Sequence, residues 1–251
     1  MYYAGTPVYI YLMKYILILF LLIFPALTKA TASPGPLTER DQPADSWTEE
    51  ELSRANTASN VNYLTDEEKK IIFYMNLVRI DGPKFFDTYF QDYVEMHNQQ
   101  MKKYSNFKDL KINRYDPYYR GLKEDLKNVK NLSMLYPDET LSYISKQHGK
   151  DMARHNIAGH NSYDGRTMVN RIAKYYPNRG MAENLAFGFS TGLANVSLLL
   201  LDQGVVDLGH RKNILNNTLG LNIVGVSIQT HPHYKYSATM DFVAIPNLKK
   251  D

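Results

Sequence analysis

Apolar residues recur at helical spacing in several separate stretches of the chain. Thr65 and Glu68 are spaced as a capping box, and the apolar positions that follow repeat every three or four residues up to Gly82 and Pro83. This pattern predicts a first helix over about 66–81. The stretch before Thr65 shows no sustained apolar period.

A second apolar stripe follows Asp138, a residue type that favours the position before a first helical turn. The stripe consists of Leu141, Ile144, His148, Met152 and His155, so two histidines share it with three apolar residues. We interpret these histidines as half-buried at the edge of a packing face rather than as metal ligands. Further helices are predicted over about 166–176 and 194–203, and short helices and loops over 84–136.

The period changes near the end of the chain. Val224, Val226 and Ile228 alternate with other residues, and a similar alternation follows a short loop, which predicts a β-hairpin over 224–243. His231 and His233 fall in that loop, where exposed side chains are the default. Helices followed by strands predict an α+β fold.

The two N-terminal segments differ from the rest of the chain. In residues 1–32 an early Lys14 precedes an apolar run and small residues at Ala30 and Ala32, which predicts a signal peptide cleaved after Ala32. An uncleaved anchor is the alternative. Residues 33–62 are polar with three prolines, which predicts a flexible linker.

Composition narrows the function classes. Lys14 and Lys29 are the only charged residues of the leading segment, so the remaining chain holds 27 bases and 26 acids, a balance that does not favour nucleic acid as a partner. The chain of 251 residues contains no cysteine, so no disulfide stabilises it. The signal-peptide pattern leads us to expect a secreted or cell-envelope protein without a stable membrane span after signal cleavage.

Two catalytic signatures do not fit the rest of the chain. GFSTG, residues 188–192, has the spelling of a hydrolase nucleophile elbow, but no strong apolar strand precedes it, so Ser190 is interpreted as a loop residue. The chain has no H-E-x-x-H string, and His155 and His160 are five residues apart, a spacing that a continuous helix would splay.

A set of short strings in a fixed order carries a family resemblance: SKQHGKDMARHNIAGH, GRTMVNRI, AENLAFG, LLLLDQGVVDLGHRKNIL, VGVSI and MDFV. Together they resemble the CAP superfamily of cysteine-rich secretory, antigen 5 and pathogenesis-related proteins, in its disulfide-free bacterial branch. The resemblance places a CAP domain at 63–251 and implies a three-layer α-β-α sandwich.

The resemblance also implies a cleft lined by two histidines and two acids. By motif these are His160, Glu183 and His210, with Asp202 as the second acid where family members usually carry Glu. Asp207 is the alternative fourth residue. Such residues could bind Zn²⁺ through His160 and His210, or carry out general acid–base chemistry.

Two functions from different classes follow. The first is an extracellular binding module for a lipid, peptide or glycan, with or without a divalent cation such as Zn²⁺. The second is an extracellular hydrolase that uses His160 and His210 around a metal or a water. The lack of an obvious nucleophile favours the binding module over the hydrolase.

Overall fold

The computed structural model describes residues 46–215 and 219–248, so the predicted signal peptide at 1–32 lies outside the described residues. The elements in chain order are α1 (Glu49–Ala55), α2 (Asp66–Ile80), α3 (Gly82–Phe85), a π-helical turn (Phe86–Phe90), α4 (Gln91–Met101), α5 (Phe107–Leu110), α6 (Pro117–Leu126), β1 (Tyr136–Pro137), α7 (Glu139–His155), α8 (Met168–Ala173), β2 (Met181–Phe187), α9 (Gly192–Leu201), α10 (Gly209–Leu215), β3 (Ile223–His231) and β4 (Lys235–Val243).

The predicted helix starts are confirmed by their caps. The Thr65 hydroxyl accepts from the backbone N–H of Glu68, whose carboxylate accepts from the backbone N–H of Thr65 at 2.8 Å, so α2 begins with the predicted capping box. Asp138 caps α7 by accepting from the backbone N–H of Leu141 at 2.8 Å. α7 ends where Asn156 adopts a left-handed conformation. The helices predicted at 166–176 and 194–203 correspond to α8 and α9.

The structure differs from the predicted flexible linker over its described part. Residues 49–55 form α1, which begins with a second capping box between Thr48 and Glu51. Trp47 is 6% exposed and donates from Nε1 to the Thr88 hydroxyl at 3.1 Å, and Ala55 is fully buried. The buried residues of this segment are one tryptophan and two alanines, Trp47, Ala55 and Ala58. They do not recur at a regular spacing, so the sequence pattern suggested a linker. The folded domain therefore begins by residue 46 rather than at 63.

The described strands form one sheet in the order β1-β3-β4-β2. β3 and β4 are the predicted hairpin and pair antiparallel from Ile223↔Val243 to His231↔Lys235. β4 also pairs antiparallel with β2, from Met181↔Val243 to Phe187↔Ser237, and β1 pairs parallel with β3. The sequence pattern did not predict β2, although this strand carries Glu183.

Helices cover both faces of the sheet. α7 packs on one face of β3 and β4, while α2, α9 and α10 pack on the other side. Gly225 permits the close approach of α7, because a Cβ atom there would lie 2.1 Å from the carbonyl carbon of Leu141 and 2.2 Å from the backbone nitrogen of Ser142. The predicted three-layer α-β-α sandwich is confirmed. No helix within the described ranges combines the length and the apolar composition that a bilayer crossing needs.

Candidate functional site

Glu183 lies near the start of the edge strand β2 and holds a histidine with one oxygen and an arginine with the other. Its Oε1 atom is 2.8 Å from Nδ1 of His160, and its Oε2 atom accepts from Nη2 of Arg171 at 2.5 Å. The Glu183 side chain is fully buried, whereas the His160 side chain is 53% exposed. The carboxylate therefore fixes the inner side of an imidazole that faces solvent.

Arg171 on α8 ties this histidine to the fold in a second way. Its Nη1 atom donates to the backbone carbonyl of His160 at 2.9 Å and to that of Arg166 at 3.3 Å. The loop that carries His160 is thus held by the same guanidinium that balances the charge of Glu183. Arg171 lies in the string GRTMVNRI, but the sequence pattern did not identify it as part of the site.

The electrostatic environment keeps Glu183 ionised. Burial on its own would raise the pKa of Glu183, but the hydrogen bond with His160 and the positive charge of Arg171 outweigh that effect, so the pKa of this carboxyl lies below its usual range. An ionised Glu183 accepts the Nδ1–H of His160, which leaves the Nε2 lone pair of the neutral ring available.

The second pair is built on a helix end. Asp202 is the C-cap of α9, with a left-handed backbone at φ 54°, and its Oδ1 atom is 2.7 Å from Nδ1 of His210. Its Oδ2 atom accepts from the backbone N–H of Arg211 at 3.1 Å. Asp202 is 3% exposed, whereas the alternative residue Asp207 is exposed on the loop before α10. The acid that contacts His210 is therefore Asp202.

Two asparagines connect α10 to the edge strand. The Asn184 side chain donates from Nδ2 to the backbone carbonyl of His210 at 3.1 Å and accepts from Nδ2 of Asn213 at 2.8 Å. Glu183 and Asn184 are neighbours on β2, so their side chains point to opposite faces of the sheet. The two histidine–acid pairs therefore flank the edge strand, one anchored from each side.

The donor set does not make up a dedicated zinc site. Among residues 46–215 and 219–248, no group of three or more His, Cys, Asp or Glu side chains is arranged to hold a metal ion. Zinc sites in proteins usually have three or four protein ligands. Both carboxylates are also occupied in orienting their histidines. A shared cation between His160 and His210 stays a prediction.

The arrangement offers two oriented acceptors. Within the described ranges, neither His160 nor His210 has a hydrogen-bond partner at Nε2, and neither ring is hydrogen-bonded to a serine, threonine or tyrosine hydroxyl. A carboxylate that accepts from Nδ1 fixes the tautomer and the orientation of the ring. Each ring can accept a hydrogen bond from a ligand, take a proton from a bound water, or coordinate a cation.

Three histidines outside the site, His148, His155 and His231, contact other groups of the fold. His148 is 1% exposed, more buried than predicted, and its Nε2 atom donates to the carbonyl of Gly159 at 2.9 Å. His155 stacks on Tyr163 with ring centroids 3.9 Å apart. His231 is also buried, contrary to the exposed position predicted for it, because its ring accepts from two backbone N–H groups of the hairpin loop. His233 is exposed as predicted.

Ser190 lies on the loop between β2 and α9 and is exposed. A strand does precede it, contrary to our prediction, but the sheet around β2 is antiparallel rather than the parallel sheet that supports a nucleophile elbow. In this part of the chain, the side chain that contacts a site histidine is Glu183 on the strand.

The amino-acid sequence matches the model of the CAP family, described as the cysteine-rich secretory protein family, over residues 86–244. That segment is more than half of the chain and contains all four predicted site residues. The chain belongs to the CAP family. The start of the match leaves α1, α2 and α3 ahead of the matched part of the CAP domain.

Two solved structures resemble the CAP domain. One is an outer surface protein from Borrelia burgdorferi, with 19% identity, a TM-score of 0.39, and coverage of 54% of this chain and 97% of that chain. The other is an extracellular protein containing an SCP domain from Bacillus anthracis, with 25% identity, a TM-score of 0.38, and coverage of 53% of this chain and 45% of that chain. The chain thus spans less than half of the second protein. None of the curated proteins is significantly similar to it.

Proposed function

We propose that this CAP-domain protein is an exported binding module that takes a lipid, peptide or glycan along the edge of β2, where the His160 and His210 pairs flank the strand. The observation that carries the proposal is the pair of carboxylate-oriented imidazoles, each with an Nε2 atom that no described residue engages. Hydroxyl and amide N–H groups of a ligand are the natural donors to such acceptors.

The absence of a nucleophile near the site, among the described residues, favours binding over covalent catalysis. A hydrolase that forms a covalent intermediate needs a hydroxyl, thiol or similar group within hydrogen-bond reach of its base. No described hydroxyl is hydrogen-bonded to either imidazole, and the chain has no cysteine. The two acids are not free to act as nucleophiles either, since Glu183 also binds Arg171 and Asp202 also binds a backbone N–H.

Export is part of the proposal. It is supported by the signal-peptide pattern of the first 32 residues. Mass spectrometry of the mature protein should find the N-terminus near Ser33. An intact segment from Lys14 to Phe24 in membrane fractions would contradict export by cleavage.

Binding is tested with glycan arrays, peptide arrays and lipid vesicles. The wild-type protein should bind members of one of these classes, and the variant with both His160→Ala and His210→Ala should bind them at least about tenfold more weakly, because two hydrogen bonds of roughly 1 kcal/mol each are lost. His233→Ala is the control, since this exposed histidine lies outside the site. Equal binding by all three proteins would contradict the proposal.

The hydrolase is the second candidate, and the oriented imidazoles also favour it, because a histidine held by a carboxylate is a competent general base toward water. The hydrolase would be favoured over the binding module if the wild-type protein hydrolysed an array ligand and if His160→Ala and His210→Ala each lost this activity. Calorimetric titration with Zn²⁺ tests the shared cation. Binding that is lost in the double variant and kept in His233→Ala would establish the site, and no binding by the wild type would exclude it.

A further inference from the structure

Two buried carboxyl groups face each other across strands β2 and β4. Glu183 and Asp241 are direct partners in the antiparallel register, and they are 5% and 0% exposed. Directly opposed residues on neighbouring strands place their side chains on the same face of the sheet, within a few ångströms of one another. Two carboxylates in such a buried site do not both ionise at neutral pH.

The cations that face this pair are too few for two negative charges. Arg171 on α8 donates to Glu183 at 2.5 Å and is the fixed positive charge of the cluster. His160 also contacts Glu183, but its ring is half exposed and forms no hydrogen bond with Asp241 within the described ranges. The charge of Arg171 is therefore balanced by Glu183, and nothing comparable contacts Asp241 among the described residues.

The helix on the other side of Asp241 supplies no charge. α7 presents Ser145 and His148 to this face of the sheet. The His148 ring is buried and donates from Nε2 to the Gly159 carbonyl at 2.9 Å, and burial lowers its pKa, so the ring is neutral at neutral pH. Ser145 is neutral at any relevant pH. Asp241 thus lies against a neutral helix and an already balanced ion pair.

The Ser145 hydroxyl lies between two acceptors and indicates that the Asp241 carboxyl carries a proton. Its Oγ atom is 2.7 Å from Oδ2 of Asp241 and 3.2 Å from the carbonyl oxygen of Gly225. One hydroxyl hydrogen cannot fully serve two acceptors. A proton on the Asp241 carboxyl resolves the conflict, since its O–H donates to Ser145 and Ser145 donates to Gly225.

We infer that Asp241 is a protonated carboxylic acid at neutral pH and that Glu183 alone carries the negative charge that orients His160. Asp241 is in this sense a positioning residue, which acts on the imidazole through Glu183. Its Oδ1 atom has no hydrogen-bond partner among the described residues, which suits the carbonyl oxygen of a neutral acid better than a carboxylate oxygen. The inference goes beyond the proposed function and holds whatever ligand the site takes.

The electrostatics agree with this assignment. Burial is the largest effect on Asp241 and the negative charge of Glu183 is the next, and both raise the pKa of Asp241 well above its usual range. A neutral Asp241 keeps the buried cluster balanced at one positive and one negative charge. A second carboxylate charge would compete with Glu183 for Arg171.

Infrared difference spectroscopy tests the inference without any ligand. At neutral pH the wild-type protein should show the C=O stretch of a protonated carboxylic acid, and this band should be absent from Asp241→Asn. Should that variant fail to fold, Ser145→Ala takes its place, and the band should move to higher frequency because the acid loses its hydrogen-bond partner. Absence of the band from the wild-type spectrum overturns the inference.

The pH dependence of stability gives a second readout. Above the ordinary aspartate pKa of about 3.9, Asp241 keeps a proton in the folded protein that the unfolded chain releases, so the contribution of this carboxyl to stability is lost as the pH rises. Asp241→Asn lacks this loss. The ratio of the wild-type to the Asp241→Asn unfolding constant should therefore rise about tenfold per pH unit between roughly pH 5 and 7.

A matched control isolates the buried carboxyl. Asp207→Asn removes an exposed aspartate, and the ratio of the wild-type to the Asp207→Asn unfolding constant should not change over the same pH range. A ratio for Asp241→Asn that is equally independent of pH would show that Asp241 is ionised. Neither result depends on ligand binding, so a failure here is distinct from a failure of the proposed function.

Discussion

The two histidine–carboxylate pairs share one contact and differ in what supports it. Nδ1 of His160 is 2.8 Å from Glu183, and Nδ1 of His210 is 2.7 Å from Asp202. The second oxygen of Glu183 accepts from a buried guanidinium, whereas that of Asp202 accepts from a backbone N–H group. The first pair is held by opposite charges in the interior, and the second is held by the course of the chain at a helix end.

This difference explains the unequal length of the two acids. Glu183 extends from a strand to reach both a loop histidine and an arginine on α8. Asp202 lies at the end of α9 in a left-handed conformation, from which a short side chain reaches the first turn of α10. Aspartate tolerates this backbone better than glutamate does. The short side chain of Asp202 thus suits the helix end on which it lies.

Removal of the negative charge of Glu183 or of Asp202 should give the largest difference between the two pairs in unfolding free energy. Glu183→Gln leaves the buried Arg171 without its carboxylate and should cost about 3 kcal/mol of unfolding free energy. Asp202→Asn keeps the left-handed backbone and one acceptor oxygen, so it should cost about 1.5 kcal/mol. Denaturant unfolding at neutral pH measures both. Equal losses would show that the charge of Arg171 does not distinguish the pairs.

The pH dependence of the Glu183 pair should follow from its lowered pKa. The pKa of Glu183 is depressed in the folded protein, so its stabilisation is fully present above the unfolded pKa of about 4.3 and is lost as the pH falls through the folded value. The difference in unfolding free energy between the wild type and Glu183→Gln should shrink by up to about 1.4 kcal/mol per pH unit below about pH 4. A difference that stays constant from pH 7 to about pH 3 would contradict the ionised pair.

Replacement of Asp202 by the longer acid should give the smallest loss of unfolding free energy. Asp202→Glu places a longer, less tolerant side chain at a left-handed position and should cost about 1 kcal/mol. Asp202→Asn serves as the matched variant that keeps the backbone preference. A stabilised Asp202→Glu protein would show that the backbone does not select the shorter acid.

Local signals in the sequence predicted much of the fold. The capping box at Thr65, the cap at Asp138 and the alternation around Val224 each depend on neighbouring residues only, so the sequence places α2, α7 and the hairpin correctly. α1 also begins with a capping box, at Thr48, but its burial depends on distant residues such as Thr88.

The rest of the site depends on contacts between distant segments. β2 is buried on both faces, so its sequence shows no alternation of apolar and polar residues. Its Glu183 and Asn184 accept hydrogen bonds from side chains on α8 and α10. Arg171 and Asp241 become meaningful only when α8 and β4 are brought to Glu183. The family strings led to the two histidines and their acids, but no local pattern distinguishes a site arginine from a surface arginine.

The tautomers of the two imidazoles test the central claim most directly. A long-range ¹H–¹⁵N NMR spectrum of the wild-type protein at neutral pH, with assignments from His160→Ala and His210→Ala, reports which ring nitrogen carries the hydrogen. We expect Nδ1–H and an unprotonated Nε2 for both rings, because each Nδ1 donates to a carboxylate. An Nε2–H tautomer at either residue would contradict the account, since that ring would then offer a donor rather than an acceptor to its ligand.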